Sequence, residues 1–478
     1  MTRRAALGAV VLASLALSAT NARADSIVPP WSDPHDVPLP AWGKSVAPLR
    51  PDVGIVAAPG KPDAKRGTVA AGARLPLYGS ARGASCGGRW LLVGPMAWVC
   101  SDAVEVSGDA PQTARPQTAR EGGVGGGDGL PYRYFFVGAD GAEAFLNLPT
   151  GSDGAHGIEA PDEALDPGFA VAISEEADAR GARWGRTRHG EWIPMRELTP
   201  FHASPFHGDV LAANARLDMA WVVADAASVF SAPVASGRPA HKRARFDRVT
   251  WHEERAAAHG GGPMVRVSDD GVTPEQWMRA RDLAHPTLAV PPEPIGGASA
   301  TSPWIDIDLG AQTLVAYEGA RPVFATLVST GLGAPGDAAA TPEGLHRIGA
   351  KLSTNDMDNL EPDEDDPSAE SVDTIDDVPY VQYFDHGVAL LGTFWHRDLG
   401  RPHGRASVSL APKDAAWLFA FTAPHLPPGW SAAYPTELEP GTIVRVRTGE
   451  PVARDFPLDK THGTVIHKPS SGKTPETP

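Results

Sequence analysis

The sequence predicts a mainly β protein in which small β-barrel units are followed by a larger β-rich domain. Three observations carry that expectation. At 478 residues the chain exceeds what one hydrophobic core serves. Short apolar runs broken by turn residues recur from about residue 52 to 290, which is the texture of short strands. From Trp304 the alternation Ile305-Asp306-Ile307-Asp308-Leu309 has the period of a half-buried strand.

Taken in order, the N-terminus carries Arg3 and Arg4, an apolar stretch from Ala5 to about Leu17, and Ala22-Arg23-Ala24 before Asp25. That is the layout of a cleavable secretory signal over 1–24. A membrane anchor is the alternative, but the stretch falls short of the roughly 18 residues a span requires, and no other segment is long and apolar enough. Both twin-arginine and general secretory export stay open, because Ala6 sits where the former prefers a bulky apolar residue. No Cys follows the signal to carry a lipid. The expected location is periplasmic or cell-wall associated.

The formal net charge of −16 argues against nucleic acid as a partner, since binding it needs clustered Lys and Arg. Only two cysteines occur, Cys86 and Cys100, and in an exported chain they are expected to form one disulfide. Closing a loop of about 15 residues stabilises a small domain by roughly 3 kcal/mol in the chain-entropy model. Buried free thiols or a two-Cys metal site are the alternatives. If the bond forms, no thiol is left for catalysis.

Residues 25–51 read as an extended, Pro- and Trp-rich lead-in. Over 52–107 the runs Val53–Val56, Leu75–Tyr78, Trp90–Val93 and Ala97–Val99 suit a small β-barrel, and the segment resembles the bacterial SH3-like domain, with Met96-Ala97-Trp98-Val99 in place of its Gly-Trp-Val. Residues 108–130, with a tandem Pro-Gln-Thr-Ala-Arg and a glycine run, are a linker, and not a phosphate loop, because no strand precedes it and no Lys-Ser or Lys-Thr follows. A second SH3-like unit is expected over 131–200 and a third over 218–290. Such modules bind wall material or act as spacers.

In the last third, Gln312–Tyr317 and Pro322–Val328 read as a hairpin turning at Glu318-Gly319, and Thr341-Pro342-Glu343-Gly344 and His346–Ile348 as a further turn and strand. This order, over 302–447, resembles the L,D-transpeptidase (YkuD) family, a β-rich domain that crosslinks peptidoglycan through an acyl-enzyme on cysteine. Family members read Leu-His-Gly-Thr, then Ser-His-Gly-Cys-Val, then a Leu, a Pro and an Asp-Ala opening a helix. Laid on that pattern without a gap, Gly392-Thr393, Trp395-His396, Gly400, Val408, Leu410, Pro412 and Asp414-Ala415 match. The chemistry does not: the first His falls on Leu391, the second on Arg405, the Gly on Ala406 and the nucleophilic Cys on Ser407. A gap that moves His403-Gly404 onto the His-Gly puts Arg405, still not Cys, in the nucleophile's place.

These swaps have a chemical direction. A serine hydroxyl needs a positioned base, whereas Arg405 stays protonated and only donates hydrogen bonds. A guanidinium does hold carboxylates bidentately, and peptidoglycan stem peptides are rich in carboxylates. The ligand-binding candidates are therefore Arg405, Trp395 and His396. If the segment is extended, His403 shares strand parity with Ser407 and becomes a candidate rescue base, with His386 or His396 as outside candidates. The same histidines with Asp385 and Asp398 lack recognised metal-ligand spacing, so no metal and no cofactor is expected. The acidic run within 355–377 reads as a solvated loop without the spacing of a calcium-binding helix-loop-helix, and 448–478 as a disordered tail. The expected function is that of a transpeptidase-like pseudoenzyme that binds peptidoglycan or regulates its crosslinking. The alternatives are a serine-dependent wall enzyme and a structural envelope protein.

Overall fold

The alternation from Trp304 becomes a strand, Pro303–Asp308, inside a six-stranded sheet of the computed structural model, which describes residues 39–113, 129–149, 160–234, 238–252, 255–258, 262–269, 271–292, 302–357 and 375–449. The expected signal at 1–24, most of the expected lead-in, the glycine run of the expected linker, most of the acidic run and the expected tail from 450 lie outside these residues. The sheet runs in the order Asp209–Val210, Arg321–Leu327, Thr313–Glu318, Pro303–Asp308, Ile443–Arg447, Gly344–Arg347. The expected hairpin forms, with Thr313 opposite Leu327 and Glu318 opposite Arg321.

Pro303–Asp308 is not half-buried, however. Asp306 and Asp308 are buried along with Ile305 and Ile307. The reason is the parallel neighbour Ile443–Arg447, which sets Arg445 opposite Asp306 and Arg447 opposite Asp308. Arg445 Nε donates to Asp306 Oδ1 at 2.6 Å, and Arg447 reaches Asp306 Oδ2 at 2.9 Å and Asp308 Oδ2 at 2.8 Å. Buried carboxylates are tolerated because each is paired and hydrogen-bonded.

A second sheet contains Ala350–Met357, Ile375–Asp385, Val388–Gly392 and Val408–Leu410. Ile305, Ile307 and Leu314 of the first sheet meet Leu390, Val408 and Leu410 of the second, with Ala415 and Leu418 of Pro412–Phe421, the one α-helix among the described residues. Pro412 starts that helix, where a missing N–H costs nothing.

Three N-terminal β units each bury a core: Val53, Ile55, Leu91 and Val99 in the first, Phe135, Val171 and Ile193 in the second, Val222, Val249 and Met278 in the third. In the first, Ser45–Pro48 pairs with Val104–Ser107 and Leu75–Pro76, so strand pairing begins within the expected lead-in. Cys86 and Cys100 form the disulfide. All three units dock on the C-terminal domain. Trp430–Ala433 pairs with Ala350–Met357 on one side and Lys65–Val69 of the first unit on the other. Gly67 permits that seam, since a Cβ there would lie 2.1 Å from Ala432 O. Tyr134 of the second unit stacks on Phe394 at 3.9 Å. Trp221 and Met219 of the third share a core with Trp304, Tyr317 and Leu399.

Candidate functional site

Val388–Gly392 and Val408–Leu410 run parallel, with Leu390 opposite Val408 and Gly392 opposite Leu410. Residues 393–407 join them and carry nearly all the candidate site. The helix follows directly, and its first-turn Asp414 is fastened from outside: Gly208 N–H donates to both carboxylate oxygens at 2.9 and 3.0 Å, and Thr326 Oγ1 donates to Oδ2. Burial pushes the Asp414 carboxyl up to about 6. One acid thereby ties the segment between the second and third units to the helix and to the hairpin.

The positions laid on the catalytic pattern sit as follows. Leu391 is buried among Val378, Val381 and Ala389, an apolar site. Ser407 Oγ accepts a hydrogen bond from Ala389 N–H at 3.2 Å. Arg405 is exposed, and its guanidinium has no hydrogen bond or ion pair among the described residues. The strand parity that would aim His403 at Ser407 is not realised, because 401–407 is not a strand and Gly404 takes a φ of +73°. Instead His403 Nδ1 lies 3.2 Å from Asp398 Oδ2, and its ring centroid is 4.1 Å from that of His396.

His396 is buried and its Nδ1 accepts from Asp398 N–H at 3.2 Å. Burial, with His403 beside it, lowers His396 to about 4. Trp395 is half-buried, edge-on to Phe394 at 5.2 Å. His386 lies elsewhere, 4.0 Å from Asp385, which also faces His346 at 4.0 Å. The structure thus divides the histidine and aspartate candidates into two groups, Asp398 with His396 and His403, and Asp385 with His386 and His346.

The loop is gripped by the third unit. Arg401 Nη2 donates to Val223 O at 2.8 Å, and Arg245 Nη2 donates to Leu399 O at 2.8 Å. Gly400, φ +82°, is needed where a Cβ would meet Val223 Cγ1 at 2.4 Å. On the opposite flank the second unit grips Ile375–Asp385. Tyr134 Oη donates to Asp377 O at 2.6 Å, and Arg188 Nε lies 3.1 Å from Asp377 Oδ1. His189 stands 3.7 Å from Asp356 and 3.9 Å from Asp376, and hydrogen bonding to Asp356 raises it to about 9.

Sequence reasoning missed Lys351, fully buried behind the site. Its Nζ donates to two carbonyls at the end of the helix, Thr422 O at 2.8 Å and Phe419 O, and to the Thr422 hydroxyl at 3.1 Å. Burial lowers it to about 7. A lysine between Ala350 and Leu352 gives no local signal of this; the helix C-terminus it caps is 68 to 71 residues away.

The parallel pair bracketing 393–407 and the helix after it lie within the span matched by one family model. Residues 302–452 match YkuD, the L,D-transpeptidase catalytic domain. The chain carries a YkuD domain. It starts where the sequence pattern placed it and ends at 452 rather than 447. Similar solved structures include an L,D-transpeptidase from Xylanimonas cellulosilytica (22% identity, 31% of this chain and 62% of that one, TM-score 0.20). One from Stackebrandtia nassauensis has 24% identity over 32% of this chain and 58% of that one, at a TM-score of 0.21. One from Mycobacterium smegmatis has 15% identity over 58% of this chain and 99% of that one, at a TM-score of 0.23. The chain spans about three fifths of the length of the first two. A comparison with curated proteins gave no match.

Proposed function

We propose that this protein is an exported envelope component whose YkuD domain binds peptidoglycan, or regulates its crosslinking, without acyl transfer. The observation that carries the reading is the fate of the thiols: the chain has two cysteines, and both are spent in the disulfide of the first β unit. Acyl transfer by the family's route needs a thiolate beside a base. Ser407 has only a backbone N–H on its oxygen, and no imidazole or carboxylate hydrogen-bonds to it among the described residues. A positioned general base is worth roughly 10²–10⁴-fold in rate, and the guanidinium of Arg405, a group of donors only, does not supply it.

What is left is suited to holding a ligand. Arg405 presents an exposed guanidinium on a loop clamped by the third unit, a preorganised donor fork for a stem-peptide carboxylate. Trp395 and His396 line the same loop. In this reading residues 1–24 direct secretion, the three β units are SH3-like modules, and the protein works in the periplasm or at the wall. Among the described residues no helix is long and apolar enough to cross a membrane. The experiment is co-sedimentation of the mature protein with isolated sacculi, with muropeptide analysis of the products. Binding without new muropeptides is expected, weakened by Arg405→Ala and indifferent to Ser407→Ala. Products that vanish in Ser407→Ala would make this a serine-dependent wall enzyme, and failure to sediment would leave a structural role.

A further inference from the structure

The loop that joins the two parallel strands carries a donor set, of which the proposed wall-binding role uses His396 alone. His396, Asp398 and His403 each present a ligand atom, and these atoms all lie within 4.8 Å of one another. Bonds of about 2.0–2.1 Å to a tetrahedral zinc put neighbouring donors roughly 3.3–3.4 Å apart. His403 Nδ1 and Asp398 Oδ2 stand at 3.2 Å, and the two imidazole centroids at 4.1 Å.

The backbone holds this geometry independently of the side chains. Arg401 N–H donates to Asp398 O at 3.1 Å and closes a turn. Gly400 N–H to Val328 O and His403 N–H to Thr330 O, each 2.8 Å, pin the loop along the strand Arg321–Leu327 and its extension. Leu399, between the ligands, is anchored in the core shared with the third unit. The loop is thus largely formed before an ion arrives, which lowers the reorganisation cost of binding; the rearrangement left is at His396, which gives up the hydrogen bond from Asp398 N–H to its Nδ1 when it ligates. Two imidazoles and one carboxylate suit zinc and its first-row neighbours, whereas calcium and magnesium favour oxygen alone.

We propose that His396, Asp398 and His403 bind one divalent transition-metal ion, zinc by ligand chemistry, with three protein ligands and one position left for water or an incoming carboxylate. Another acid-histidine group, His189 with Asp356 and Asp376, brings its ligand atoms equally close and is a built-in comparison. It has one imidazole, set between two carboxylates at 3.7 and 3.9 Å, and serves as an ion pair between the second unit and the YkuD domain.

The test uses the full mature chain, stripped with a chelator. It is titrated with Zn²⁺ by calorimetry and with Co²⁺ by visible absorption, in wild type, His403→Ala and His189→Ala. His403 is the deciding position because its side chain is 41% exposed, so its removal spares the core, and circular dichroism confirms the fold. The expected result is one ion per chain, cobalt bands of a four-coordinate site, affinity weakened at least about tenfold in His403→Ala and unchanged in His189→Ala. Absence of stoichiometric binding, or binding that His403→Ala leaves intact, overturns the proposal. Because the readout is metal affinity, its failure says nothing about sacculus binding.

Discussion

Lys351 shows what a single buried charge does to this fold. Its amine has an ordinary value near 10.4 in the unfolded chain and about 7 in the folded one. Between those values the native state binds fewer protons than the unfolded state, so stability rises as pH rises from about 7 to 10 and falls as pH drops back through that window. The slope is at most about 1.4 kcal/mol per pH unit. Urea melts across pH 7–10 should show it, and Lys351→Met should flatten the profile while costing about 1–3 kcal/mol for the carbonyls left without a donor. At this scale the sequence was half legible. Leu391, Arg405 and Ser407 were laid on the family's catalytic positions by the flanking Gly392-Thr393 and Asp414-Ala415, and that assignment stays an expectation. The partners were not: His403 faces Asp398 because Gly404, at positive φ, breaks the extended run that parity assumes. No local pattern announces which histidine a loop turns toward which acid.

Among the elements, the paired strands Pro303–Asp308 and Ile443–Arg447 bury four charges on one sheet face. Arg447→Met leaves Asp306 and Asp308 with a lost partner inside the protein. A thermal melt should show a destabilisation of about 3–5 kcal/mol, the usual cost of an uncompensated buried ion. The alternation of Ile305-Asp306-Ile307-Asp308 was readable as a strand, and the two strands of the hairpin over 312–328 likewise. What the period could not convey was burial. The acids read as solvent-facing until their complement in Val444-Arg445-Val446-Arg447, 139 residues on, is paired beside them. Strands this distant are matched by tertiary packing, and the parallel register needs the whole domain to be in place.

Viewed as a whole molecule, the N-terminal units brace the YkuD domain rather than hang from it. One sheet runs from the first unit through Trp430–Ala433 into the domain, the second unit holds Ile375–Asp385, and the third grips the loop that carries Arg405. Turn spacing announced a succession of short strands over this region, but the docking of the units was not legible, because it rests on close approaches such as that at Gly67. Gly67→Val forces a side chain against Ala432 O and should open that seam. Differential scanning calorimetry should then resolve a separate, earlier transition for the first unit where the wild type melts with its neighbour. Bracing of this kind fits a surface that must keep its shape to bind, and it accounts for a loop fixed on both sides although no thiol is available to it.

The measurement that bears most directly on the central claim is the muropeptide profile of sacculi after incubation with wild type and with Ser407→Ala. The two profiles are expected to match each other and that of untreated sacculi, while the protein sediments with the wall in both. A new crosslinked or shortened muropeptide that appears with wild type and disappears with Ser407→Ala would contradict it and assign the serine a catalytic role.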